Sequence, residues 1–156
     1  NTEIKDFIDY AKVIDISGEV SILKKNDINF TYRRSGLDNK IVVEAGFLLN
    51  KGADLYRSED ILSKRKSKQP LEYPSCGSVF KRPAGNFAGT LIESCGLKGY
   101  RVGNAKVSEK HANFIVNLGG ATSTDIYKII QHVKDKVYKE TGIILEEEVK
   151  LVNFNV

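Results

Sequence analysis

The chain has 156 residues, of which 41% are apolar and 28% charged, with a formal net charge of +4, two cysteines and no methionine or tryptophan. That length allows one ordinary domain or two small halves, and excludes a large cofactor enzyme with every part present. No apolar run approaches membrane-spanning length and there is no low-complexity tract, so the composition reads as a soluble, globular, cytoplasmic protein whose positive balance favours an anionic partner.

In chain order, residues 10 to 24 give two β-branched runs joined around Ser17-Gly18, a hairpin signal. The run KIVVEAGFLL from Lys40 to Leu49 is apolar on both faces and predicts a more buried strand. SEDILSKRKSK, Ser58 to Lys68, opens on a serine and acidic residues and closes on basic ones, the charge order a helix dipole favours. Pro70 and Pro74 then mark a boundary within QPLEYP.

The second half starts with an expected short strand, Ser78 to Phe80. A helix is expected from Asn86 as cap to Cys95, with Phe87, Leu91 and Ile92 inward and Gly96 as stop. YRVGNAKV and NFIVNL read as strands around the turn SEKHA. The clearest helix lies in TSTDIYKIIQHVKDKVYKETG, where Ile126, Ile129, Ile130, Val133 and Val137 recur at helical spacing before Gly142. A final strand, IILEEEVKLVNF, is expected to close the chain. Strands and helices in this arrangement predict an α+β fold.

Three stretches could carry chemistry. In FTYRRSG, Arg33 and Arg34 offer planar forks for a carboxylate or diphosphate beside Tyr32. In PSCGSVFKRPAGN, Ser78 follows a glycine at a strand edge, with Lys81 and Arg82 beside it, and the pattern is neither a nucleophile elbow nor a P-loop. In LEEEVKL, strand alternation puts Glu147 with Leu145, Val149 and Leu151, and Glu146 with Glu148 opposite. A carboxyl in a partly closed cleft has its neutral acid favoured. Taken alone, the three stretches read more readily as a solvated loop, ordinary turn chemistry and an exposed strand. His132 belongs to the surface or edge of the long helix, and His111 to a structural role. The cysteines Cys76 and Cys95 form neither a disulfide framework nor a zinc pattern, and no metal-ligand cluster or GxGxxG fingerprint is present.

Taken together, YRRS, QPLEYPSCGSVFKRP, FAGTLIESCGLKGYRVGNAKVSEKHANFIVN and ILEEEVKL resemble the UDP-N-acetylenolpyruvoylglucosamine reductases, flavoenzymes of bacterial cell-wall synthesis. The resemblance runs from Phe30 to Leu151. It implies that residues 1–69 are the end of an FAD-binding α+β domain and residues 70–156 a small α+β substrate-binding domain whose last strand returns toward the flavin site. It implies FAD and NADPH as cofactors, UDP-N-acetylglucosamine enolpyruvate as substrate, and neither nucleic acid nor membrane as partner.

By the same resemblance Ser78 is the proton donor, Arg33 the catalytic arginine and Glu148 the catalytic glutamate. Arg82 and Arg65 fall on phosphate-binding arginines, with Tyr32 and Lys81 as neighbours. The family's glycine-rich FAD loops would precede Asn1, which has no initiator before it, so this chain alone is expected to be inactive. The lack of an inserted tyrosine loop points to the shorter subtype. Departures are Cys76 for alanine, Asn104 and Asn113 for glycine and Glu147 for proline. The competing readings are a non-catalytic UDP-sugar-binding module and a basic nucleic-acid module built on SKRKSK, Ser63 to Lys68.

Overall fold

The computed structural model describes residues 2–52 and 55–152. The chain forms two compact units, Asn1–Ala53 and Asp54–Val156, each with its own core. The family-type boundary expected at residues 69/70 lies within the second unit as the contacts group it.

The first unit opens with a single helical turn, α1 (Ile4–Phe7), followed by strands β1 (Ile8–Asp15), β2 (Val20–Lys24) and β3 (Lys40–Phe47). They form an antiparallel sheet in the order β2-β1-β3. The expected hairpin is present, with Ile14 opposite Val20. Asp15 fixes its loop, because Oδ1 accepts from Ser17 N–H (2.9 Å), Ser17 Oγ–H (2.6 Å) and Glu19 N–H (3.0 Å). The central strand β1 is the buried one, supplying Ile8, Ala11 and Val13 to a cluster with Ile28. The expectation of a more buried strand at 40–49 fails: β3 is an edge strand and Ile41 is 66% exposed. Its apolar residues alternate between both faces, but none of them belongs to this unit's cluster.

The second unit begins with α2 (Leu55–Lys68), a turn earlier than the cap expected at Ser58, which lies inside the helix. Strands β4 (Ser75–Ser78), β5 (Arg101–Val102), β6 (Ala105–Val107) and β7 (Phe114–Asn117) make an antiparallel sheet in the order β4-β7-β6-β5. Helices α3 (Ala88–Ser94) and α4 (Ser123–Thr141) share its core. YRVGNAKV is thus itself a tight hairpin, turning at Gly103-Asn104.

α4 has the expected ends. Thr122 and Asp125 form a reciprocal capping box at 3.1 and 2.9 Å, and Gly142 adopts φ +71° in the left-handed region. Ile129, Ile130, Val133 and Val137 are buried with Ile92, Leu97, Val107 and Leu145. Burying each such side chain is worth roughly 1.5–3 kcal/mol, which anchors the helix more firmly than its intrinsic propensity.

Three expectations are corrected here. The strand expected at Ser78–Phe80 lies at Ser75–Ser78. Asn86 does not cap α3; its N–H closes a turn on Pro83 O (3.1 Å) and its Nδ2 donates to Ala84 O (3.2 Å), leaving Phe87 at the cap position. The closing strand is also absent from residues 143–152. That segment makes one bridge, Glu147 to Phe80, and residues 153–156 lie outside the described part. On the side before Leu145 the ladder meets Pro83, which has no N–H to give; nothing in the structure explains why residues 149–152 do not pair along β4.

Candidate active site

Ser78 sits at the end of edge strand β4, immediately after an irregularity. Ser75 faces Val116 and Ser78 faces Phe114, so three steps on β4 match two on β7. The extra residue is accommodated by Gly77 at φ +81°, a conformation open to glycine and costly for other residues. Such a bulge re-aims the side chain that follows it. The glycine before Ser78 therefore has a definite structural purpose, and the serine is half-buried rather than lost in a flexible turn.

Beyond Ser78 the chain is gripped from two sides. On one side Val79 N–H donates to Asn113 O (2.9 Å), and the Asn113 amide bonds the backbone of Phe80 at both its N–H and its C=O, each at 2.9 Å. On the other side Lys81 N–H donates to Glu146 O and Glu148 N–H donates to Val79 O, both at 2.8 Å. Ser78, Lys81 and Glu148 are thereby brought into one continuous backbone ladder. The alternation expected in the final segment holds for residues 145–149: Leu145 and Val149 face the core and Glu147 pairs with Lys134 at 2.6 Å. Leu151, expected on that face, is largely exposed.

Two ion pairs involve the two residues before Glu148. Glu146, itself exposed, pairs with the Lys81 ammonium, while Glu147 and Lys134 are both largely covered. Burial raises the Glu147 carboxyl, but the Lys134 hydrogen bond, a backbone hydrogen bond and the Lys134 charge together hold it below the ordinary carboxylate value.

The loop after Lys81 turns at Pro83–Asn86 with Gly85 at φ +69°. It carries the Arg82 guanidinium 4.0 Å from the Phe87 ring centroid, a cation–π arrangement. Phe87, expected to face inward, is instead 58% exposed beneath that guanidinium. Arg65 lies on exposed helix α2, where its Nε donates to Gln69 (3.0 Å). The basic run on the same helix is partly self-paired through Lys64 and Asp60 at 2.6 Å.

In the first unit, Tyr32 and Arg33 are the central residues of a tight turn closed by Thr31 and Arg34, whose backbones exchange bonds of 2.9 and 3.1 Å. Arg33 has φ +60°, the one positive value outside glycine among the described residues. A left-handed arginine costs roughly 1–2 kcal/mol relative to glycine there, so this turn stores strain where type II turns normally place glycine. Its guanidinium lies 5.4 Å from the Tyr32 ring centroid.

His111 is structural. Its Nδ1 accepts from Asn113 N–H (3.2 Å) and its ring meets Phe114 edge-on. Burial, aided by the Lys98 charge and opposed by a backbone hydrogen bond and by Glu93, lowers its pKa. Both cysteines are free thiols, and no group of three metal-ligating side chains occurs among the described residues. No described helix is long and apolar enough to cross a membrane.

Residues 69–152 match the family model of the UDP-N-acetylenolpyruvoylglucosamine reductase C-terminal domain. The chain belongs to that reductase family. Curated relatives of that name from Caldicellulosiruptor saccharolyticus and Aquifex aeolicus are each 45% identical, over 97% and 96% of this chain and 51% and 52% of their own lengths. The crystal structure of UDP-N-acetylenolpyruvylglucosamine reductase from Thermus caldophilus superposes with a TM-score of 0.80 at 34% identity, over 94% of this chain and 53% of that one. The chain thus spans about half the length of the relatives it matches, corresponds to their C-terminal part, and has the α+β fold of the reductase C-terminal domain.

Ser78, Lys81, Arg82 and Glu148 fall within the matched reductase domain, whereas Tyr32, Arg33 and Arg65 precede it. Sequence reasoning missed three features of the site: the bulge at Gly77, the Asn113 clamp and the pairing of Glu146 with Lys81. The bulge alone left a signal, in the Cys-Gly-Ser triplet. The other two join residues 33 and 65 positions apart, which no local pattern reveals.

Proposed function

We propose that this chain is the C-terminal part of an FAD-dependent, NADPH-consuming reductase that converts UDP-N-acetylglucosamine enolpyruvate to UDP-N-acetylmuramate for peptidoglycan synthesis in the cytoplasm. Residues 1–69 complete the flavin domain and residues 70–156 receive the UDP-sugar. What supports this reading most is the bulge-aimed Ser78 in one backbone ladder with Glu148 and Lys81, inside a domain of this reductase family.

When bound, a reduced flavin would supply hydride chemistry at the enolpyruvyl carbon next to the oxygen-bearing one. Negative charge then builds toward the substrate carboxylate. Arg33 stabilises it by charge, and Glu148, in its acid form, donates a hydrogen bond. The Ser78 hydroxyl gives its proton to the oxygen-bearing carbon and recovers one from solvent. A serine is a poor acid in water, but a carbanion-like centre is a strong base, so positioning and exclusion of water suffice. Arg82, Arg65, Lys81 and Tyr32 hold the diphosphate, whose charge their cations balance.

The pyrophosphate-binding loops for FAD are assigned to a region beyond this chain, so the chain alone is expected to neither hold FAD nor turn over. The test compares this chain with a version carrying the N-terminal half that relatives possess. Flavin absorbance and substrate-dependent NADPH oxidation are expected in the longer protein alone. A longer protein that binds no flavin and oxidises no NADPH with the enolpyruvyl substrate overturns the reading. Salt-sensitive retention of an oligonucleotide, with no response to UDP-sugar, would favour the basic-module alternative.

A further inference from the structure

The side chain of Asn113 is not idle. It is 7% exposed and spends both ends of its amide on one residue: Oδ1 accepts from Phe80 N–H and Nδ2 donates to Phe80 C=O, each at 2.9 Å. Its own carbonyl accepts from Val79 N–H at 2.9 Å. Regular pairing of β4 with β7 ends at Ser78 opposite Phe114, so the amide extends the ladder past the point where main chain alone could carry it.

We propose that Asn113 is a positioning residue, holding the segment after Ser78 in the register that lets it also pair with the Glu148 segment. Val79 and Phe80 are the next two residues after Ser78, and Val79 O is the acceptor for Glu148 N–H at 2.8 Å. Asn113 thus acts on both groups through a single stretch of main chain. The amide is itself fixed, since Asn113 N–H donates to His111 Nδ1 and Ser108 Oγ accepts from Lys110 and His111 N–H at 3.1 and 3.3 Å. Phe80 is 2% exposed, so without the amide its N–H and C=O would be left without their bonds in a place water does not freely enter. The stretch would shift to find partners, and Ser78 with it.

The inference rests on the proposed reductase reading, and its test separates the two. In a protein of the relatives' full length, Asn113→Gly and Asn113→Asp are each made alone and in a Ser78→Ala background. Glycine removes both side-chain bonds; aspartate keeps the acceptor and sets a second oxygen against Phe80 C=O. Product formation is expected to fall about 10- to 100-fold, with KM for the UDP-sugar and flavin reduction by NADPH near wild type. In the Ser78→Ala background the same changes are expected to add nothing. Unchanged product formation in a folded variant, the same loss in both backgrounds, or failure of both variants to fold would overturn the positioning role. Full product formation by Ser78→Ala itself would overturn the assignment of Ser78, and the inference with it.

Discussion

The backbone N–H of Glu148 donates to the carbonyl of Val79 at 2.8 Å, one residue beyond Ser78. Two residues 69 positions apart in the chain, Val79 and Glu148, are thereby joined one step from the proposed proton donor.

Gly77 should be replaceable in space but not in conformation. Its Cβ position meets nothing within 4 Å, yet φ is +81°. Gly77→Ala is expected to cost roughly 1–2 kcal/mol through the left-handed backbone, seen as a lower denaturation midpoint. Turnover should fall as well, because relief of the strain re-aims Ser78. Equal midpoints for wild type and variant would contradict the bulge account.

Arg33 should show a trade between stability and activity. Arg33→Gly relieves the left-handed strain and is expected to stabilise the fold by about 1 kcal/mol while abolishing reduction of the enolpyruvyl sugar. Arg33→Lys keeps the strain and a charge but loses the planar fork, and should give low activity without the gain in stability. Thermal melting set beside turnover distinguishes them; a glycine variant no more stable than wild type removes the strain argument.

Lys81 is engaged by Glu146, which a diphosphate would have to displace. Glu146 is 69% exposed, so the pair is worth at most about 1 kcal/mol. Glu146→Gln should therefore tighten UDP-sugar binding by up to about fivefold, with the gain shrinking as salt is raised. Weaker binding in this variant would mean that the pair serves the ligand rather than competing with it.

Acid should destabilise the second unit in two steps. His111 has a lowered folded-state pKa because burial disfavours its charged form, so its contribution is complete above the ordinary value of about 6.5 and is lost as pH falls through the folded value. Protonation also removes the Nδ1 acceptor that Asn113 N–H uses. Glu147, held low by Lys134 against its burial, contributes above its ordinary pKa and is lost at still lower pH. Melting temperature followed from neutral to acid pH should decline first through the histidine step. His111→Gln should flatten that part alone and Glu147→Gln the lower part. A wild-type curve flat through the histidine range would contradict the first step.

Local signals in the sequence were reliable where local physics decides. The Thr122 cap, the apolar stripe of α4 and the αL Gly142 are all set within one helix, and each stands where its residues imply. Exposure of β3 was not legible, because burial of a strand depends on what covers the sheet rather than on its own apolar content. The final segment misled for a related reason. Its alternation is real at Leu145, Glu147 and Val149, but alternation says nothing of whether a partner strand runs alongside, and the segment makes a single bridge, Glu147 to Phe80. Of the candidate site, residue types were readable at Ser78, Lys81 and Glu148, whereas the ladder joining them depends on contacts across long sequence separations.

Ser78 provides the most direct measurement. In the full-length protein, the Ser78→Ala variant is compared with wild type for flavin reduction by NADPH and for formation of UDP-N-acetylmuramate. Flavin reduction should persist while product formation falls about 100-fold or more. Product formation at the wild-type rate would show that the proton comes from elsewhere.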